Sequence, residues 1–430
     1  MIPEISALII FSFSLYLIIT EKVNRFIAAV AGAAVMLIAG QLFGFYTEKQ
    51  AIEAIDIETI GLLLGMMILV ALLEPTGFFQ YLAVLAGRFS KGKPVRLLVM
   101  LGSITTLLSM FLDNVTTVVL IAPVTILICE ILGMNPAPLL ISEALLANTG
   151  GVATLVGDPP NVLIASASGL TFNDFLTHSL PIIVIVWLVA LLLLRFLFRA
   201  ELAITSKNID AILSLDPAAA LDDKETAKRI LIVLAGAILL FFLQKPLGIS
   251  PAFIATLAAA CALTWVRPDV RKTFEKIEWS VLGFFVALFV LVGGLEAAGV
   301  LESLAQLVAR VGDTNPILLG VGLLWLVAGL SAVVDNIPIT IAFIPVIQGL
   351  GASGLNIAPL WWALAFGAGL GGNGTIIGST ANVVVASLSE RTHTPITSAL
   401  WNKRGLPVML ATLIVTTILY LVAYPFYAIR

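Results

Sequence analysis

The chain has 430 residues, of which 60% are hydrophobic and only 11% charged, with a mean hydropathy of +1.09 and a formal net charge of −3. A soluble domain carries about a quarter charged residues, so the composition excludes a soluble globular protein and predicts a polytopic membrane protein. The net charge decides nothing about partners, because the charges sit in loops; no nucleic-acid partner is expected. The two cysteines, Cys129 and Cys261, lie in apolar runs without metal-ligand spacing. They exclude a disulfide framework and are read as packing residues.

In chain order, apolar runs long enough to span a bilayer fall at 3–20, 26–45, 59–74, 139–172, 179–200, 228–244, 251–267, 279–298, 358–390 and 406–427. The first run begins with Glu4 rather than a basic residue, so no cleavable signal peptide is expected. Two further runs, 97–133 and 316–350, carry an Asp-Asn pair at their middle, Asp113-Asn114 and Asp335-Asn336. Each reads either as one over-long crossing or as a re-entrant hairpin. Two amphipathic stretches, Phe78 to Phe89 and Leu301 to Val311, precede these runs and read as interfacial helices.

Charge chooses between the two. Basic clusters occur at Arg88, Lys91, Lys93 and Arg96; at Arg195 and Arg199; at Arg267, Arg271, Lys272 and Lys276; and at Arg391, Lys403 and Arg404. If both special runs are hairpins, all four clusters face one side, which the positive-inside rule makes the cytoplasm. Both termini then face outward. Each half has five crossings, an odd number, so the second half is inverted. The predicted fold is all-α and polytopic: two inverted repeats of five transmembrane crossings, each with a re-entrant hairpin and a broken helix. The repeats are placed at 1–200 and 228–430, joined by a polar cytoplasmic linker, 201–227.

The breaks lie at Asn148 to Ser166, NTGGVATLVGDPPNVLIAS, and at Gly369 to Ser387, GLGGNGTIIGSTANVVVAS. Glycines, paired prolines and an acid cannot continue a helix. Irregular backbone at membrane depth is tolerated only where protein covers it or a water-filled cavity adjoins it. At an offset of 221, Gly150, Gly151, Thr154, Gly157, Asn161 and Ser166 fall on Gly371, Gly372, Thr375, Gly378, Asn382 and Ser387. At an offset of 222, Asp113, Asn114 and Pro123 fall on Asp335, Asn336 and Pro345, and Glu74 and Gly77 on Glu296 and Gly299. Duplicated halves with matched interruptions point to a secondary transporter and to its site.

An acid at membrane depth marks an ion pathway by default. Asp113 and Asp335 sit at the hairpin tips, where capping of the following helix is the competing role. Asp158 breaks the symmetry, because Ser379 takes its place; proton or cation coupling competes there with capping of the helix after Pro160. Asp113, Asp158 and Asp335 are assigned to proton coupling. Asn114, Thr116, Thr117, Gly151, Thr154, Asn161, Asn336, Thr340, Asn373, Thr375, Ser379 and Asn382 are assigned to the substrate. Glu74 and Glu296 are read as structural, and Glu130, Glu143, His178 and His393 receive no role. No Lys or Arg is expected deep in a crossing or at a hairpin tip, which favours a cation or a neutral polyhydroxy solute over a dianion. No Walker motif is present. No cofactor, metal or catalytic site is expected.

FLDNVTTVVLIAPVTILICE followed by NTGGVATLVGDPPNVLIAS resembles the ion transporter superfamily, in the branch of the arsenite permeases (ArsB type) and the melanosomal P protein. The resemblance covers nearly the whole chain. It implies inverted repeats, two hairpins and two broken helices around a central site. It also implies a prokaryotic inner-membrane arsenite or antimonite efflux carrier exchanging protons, with association of a soluble ATPase left open. Arsenite at neutral pH is mostly uncharged As(OH)3, whose hydroxyls suit Asn, Thr, Ser and Asp; thiolate ligation would need more cysteines. Sodium/proton antiport is the alternative. A dicarboxylate carrier departs from the Asp-Asn tips, and a passive channel or an enzyme fits the duplicated scaffold less well.

Overall fold

The computed structural model describes residues 2–20, 23–203, 208–300, 315–352 and 354–428, and the regular structure among these is all helix, without a strand. The stretch Leu301 to Val311 lies outside the described residues. Seven helices among them are long and apolar enough to cross a membrane, and shorter apolar helices complete the set.

The first repeat contains α1 (Ile2–Thr20), α2 (Arg25–Phe43), α3 (Glu48–Glu53), α4 (Ile57–Leu73), α5 (Phe78–Ser90), α6 (Pro94–Ser109), α7 (Asn114–Leu132), α8 (Ala137–Gly151), α9 (Pro159–Ser168) and α10 (Leu180–Leu197). The second contains α11 (Lys224–Leu247), α12 (Pro251–Val266), α13 (Trp279–Ala297), α14 (Pro316–Ser331), α15 (Asn336–Ala352), α16 (Ala358–Gly371), α17 (Thr380–Ser389) and α18 (Ser398–Tyr427). Local chemistry sets the ends. Asp56 caps α4 by accepting from the Glu58 and Thr59 amides, and Ser250 caps α12 through the Phe253 amide. Proline at the first turn opens α6, α9, α12, α14 and α16.

Both special runs are re-entrant hairpins. Gly92, before α6, packs beside Leu132 at the end of α7 and beside Ile209 of the linker, and the Asn208 side-chain amide donates to the Ile131 carbonyl. The first hairpin therefore leaves and returns on the face that carries the linker. Arg404 pairs with Glu201 at 2.6 Å, so α18 starts on that face too. On the opposite, terminal face, the Asn356 side-chain amide donates to the Ala428 carbonyl, and the Tyr420 hydroxyl to the Pro359 carbonyl. Gly320 of α14 abuts that same tyrosine. The second hairpin thus starts and ends on the terminal face. Five crossings per repeat, α1, α2, α4, α8–α9 and α10, then α11, α12, α13, α16–α17 and α18, give the inverted arrangement among the described residues.

Proximity of their backbones sorts the helices into two bundles. The outer bundle holds α1, α2, α4, α11, α12 and α13; the inner one holds the hairpins, the broken helices, α10 and α18. Their seam, where α4 meets α9 and α13 meets α15, is where the cavities lie. Apolar side chains such as Leu192, Leu239 and Val422 point away from the protein, as lipid-facing residues do. The duplicated Glu-Gly blocks also hold: Gly77 and Gly299 both sit at φ 77°. A Cβ on Gly77 would come within 2.0 Å of the Ala220 carbonyl oxygen, where the linker crosses the start of α5.

Candidate functional site

The two breaks share one scheme of hydrogen bonds. The Asn161 side-chain amide donates to the Gly151 and Thr154 carbonyls at 3.0 and 2.8 Å; that of Asn382 donates to the Gly372 and Thr375 carbonyls at 2.8 and 2.9 Å. Each asparagine thereby splints the end of one half-helix to the start of the next. The Thr154 hydroxyl donates to the Met110 carbonyl, and that of Thr375 to the Ala332 carbonyl, tying each break to its own hairpin. Ser109 and Ser331 do the same to Ala147 and Ala368, both at 2.7 Å. The glycines permit this proximity: a Cβ on Gly157 would meet the Gly151 and Ser109 carbonyl oxygens at 2.7 Å, and one on Gly378 the equivalent pair at 2.7 and 2.9 Å.

The tips, by contrast, differ. Asp113 is a helix cap, accepting from the Thr116 amide at 2.8 Å and from the Thr116 hydroxyl. Asp335 instead accepts from the Arg25 guanidinium at 2.7 Å and from the Thr380 hydroxyl at 3.0 Å. Asp158 holds the cap position of α9 yet makes no cap hydrogen bond; its carboxylate accepts from the Asn336 side-chain amide at 2.9 Å. Capping therefore does not explain Asp158. The first repeat's acid is bound to the second repeat's tip. At the opposite corner Asn114 donates to Asn148 at 2.9 Å, Ser379 donates to the same Asn148 oxygen at 3.0 Å, and Asn148 donates to Asn373 and Asn382 at 2.9 and 3.0 Å.

A cavity of about 340 Å3 opens between the bundles, with Asp113, Asn114, Thr116, Asp158, Asp335, Asn336, Ser379 and Thr380 at its inner wall. Its mouth lies at Glu74 and Lys276, which pair at 3.0 Å on the linker face. The three aspartates assigned to coupling thus share one space with Asn114, Thr116, Asn336 and Ser379. Thr117, Gly151, Thr154, Asn161, Thr340, Asn373 and Asn382, all buried, and the half-buried Thr375 stand behind that wall, and Thr154, Asn161, Thr340, Asn373, Thr375 and Asn382 donate their side-chain hydrogens to backbone carbonyls. They shape the site rather than line it.

Arg25 corrects the expectation that no basic side chain reaches a tip. It starts α2 near the linker face, and its length carries the guanidinium to the second hairpin. Position in the sequence hid this, because a residue at a helix end reads as interfacial. Asn148, Thr380 and Glu278, which also lines the cavity, were missed as well; Asn148 is an amide inside an apolar run, the signal that could have found it. Glu143, also inside the inner bundle, accepts from Thr125 at 2.6 Å away from the cavity. His178 stacks on Trp362 and Phe426 at the terminal face.

The citrate transporter family (CitMHS) matches residues 15–367. The chain belongs to that family. It is 37% identical to the 46 kDa membrane protein of Mycobacterium leprae over 94% of this chain and 95% of that one. It is 34% identical to the human P protein over 95% of this chain and 58% of that protein. The crystal structure of the Alcanivorax borkumensis YdaH transporter, of unusual topology, superposes with a TM-score of 0.63 over 99% of both chains at 17% identity, which establishes the shared fold. The CitMHS member described here is thus a multi-pass membrane transporter of the P protein kind.

Proposed function

We propose that this transporter exports arsenite and antimonite in exchange for protons by alternating access, with the linker face in the cytoplasm and the terminal face outside. The observation that carries this reading is the charge of the cavity. Five carboxylates line it, Glu74, Asp113, Asp158, Glu278 and Asp335, against two bases, Arg25 and Lys276. Both bases are already paired, Arg25 with Asp335 and Lys276 with Glu74.

A tricarboxylate such as citrate would bring three negative charges to a site with no unpaired cation among its described residues, at a Coulombic cost that the low-dielectric interior magnifies. A neutral trihydroxy acid meets no such penalty. Its hydroxyls find acceptors at Asp113 and Asp158 and amide or hydroxyl groups at Asn114, Asn336, Ser379 and Thr380. Thiolate capture is not available in the cavity, since Cys129 is buried elsewhere and Cys261 lies on the outer bundle. The basic clusters on the linker face support its cytoplasmic placement in the bacterial inner membrane. A soluble ATPase, if one associates, would dock on that face.

Sodium/proton antiport is the second reading, favoured by the same carboxylate cluster, whose oxygens suit a hard cation. Transport into everted vesicles under an imposed proton gradient, with arsenite, antimonite, sodium and citrate compared, separates them. Gradient-driven arsenite uptake is the expected result. Sodium exchange without arsenite uptake selects the second reading, and citrate uptake overturns both.

A further inference from the structure

A second cavity, of about 350 Å3, opens on the terminal face between α4, α9, α11 and α12. Glu58, Thr59, Ser166, Thr171, Gln244 and Lys245 give it a polar wall. Gln244 is 6% exposed, and its side-chain oxygen has no hydrogen-bond partner. A buried amide oxygen left unmet costs about 1–3 kcal/mol, a cost that a water or a solute hydroxyl in the cavity would relieve. The central cavity and this one share two wall residues, Leu62 of α4 and Val162 of α9. These are 2% and 4% exposed.

We propose that the terminal-face cavity is the outer vestibule of the transport path and that Leu62 and Val162 form the apolar plug between it and the central site. The proposal rests on the alternating-access reading above. Three features support it. First, the two cavities open on opposite faces, since α4 runs from Glu58 in one to Glu74 in the other. Second, neither Leu nor Val offers a polar group, so a hydrated solute must shed its water to pass while the plug is closed. Third, Val162 stands one turn beyond Asp158 on a single rigid helix, and Asp158 is bound to the second hairpin through Asn336. A change in that contact therefore moves Val162 with it. The seam between the outer and inner bundles is the place where such a displacement disturbs the least packing.

The test is modification of single cysteines by a membrane-impermeant thiol reagent, applied to one face of proteoliposomes at a time, in a Cys261→Ser background. Met67→Cys, on the central-cavity stretch of α4, should react from the linker face only. Ser166→Cys, in the vestibule, should react from the terminal face only. Leu62→Cys should react from both, because it borders the site in either state; Val162→Cys serves if Leu62→Cys does not fold. Reaction of both plug cysteines from one face or from neither, or an inert Ser166→Cys on the terminal face, overturns the proposal. Arsenite is added as the probe: if it fails to slow the reaction of Met67→Cys while Leu62→Cys still reacts from both faces, the substrate reading falls and the path stands.

Discussion

Asp158→Asn separates the proposed coupling group from the scaffold. The carboxylate accepts one hydrogen bond from Asn336 at 2.9 Å and caps nothing. An asparagine keeps an oxygen within the same reach. The loss is the charge-assisted part of one contact, about 1 kcal/mol, too little to unfold the protein. The functional loss is larger in kind. If one proton is exchanged per solute, a gradient of about one pH unit, with the membrane potential collapsed, is worth about 1.4 kcal/mol and sustains roughly a tenfold solute ratio. Without the titrating group that ratio should fall to unity. Counterflow of arsenite down its own gradient should survive, because that cycle moves no net proton. The assay is arsenite accumulation in everted vesicles beside counterflow in the same preparation. If Asp158→Asn still accumulates arsenite while Asp113→Asn or Asp335→Asn loses only the uphill mode, the proton site is at a tip and the reasoning fails.

Asn161→Ala strips two carbonyls of their donor, as does Asn382→Ala, and each should lower stability by about 2–4 kcal/mol, read as an earlier thermal transition in detergent; an unchanged transition would refute the splint role. Gly157→Ala forces a Cβ to 2.7 Å from two carbonyl oxygens and should be poorly folded, whereas Gly236→Ala, with open space around it, should leave expression and melting unchanged. Arg25→Gln leaves Asp335 with the Thr380 hydroxyl alone; uphill transport should fall while the protein remains folded, since the ion pair joins the two bundles across the seam. Cysteines at 92 and 135 should be labelled from one face and a cysteine at 354 from the other, and labelling of 92 and 135 from opposite faces would contradict the hairpin.

Much of the architecture was legible in the chain because membranes constrain backbone so strongly. A break such as Gly157-Asp158-Pro159-Pro160 cannot stay helical, and unpaired backbone at that depth demands a matching structure. The repeat offset then predicted the second break, and the one-sided basic clusters predicted both hairpins. Period and charge are local properties, so they survive in one dimension. The symmetric pair Asn161 and Asn382 was found the same way, although their place behind the cavity wall, on backbone carbonyls of the breaks, was not.

Tertiary structure alone decided which polar groups meet. Asp113 and Asp158 read alike in sequence, each before a helix start, yet one caps and the other turns across to Asn336 of the opposite repeat. Arg25 meets Asp335 across 310 positions of chain, a pairing without period or motif. The plug at Leu62 and Val162 is equally silent in sequence, since leucine and valine occur in every crossing. What distinguishes these two is that cavities lie on both sides of them, and a cavity is a property of how helices pack, not of any helix by itself.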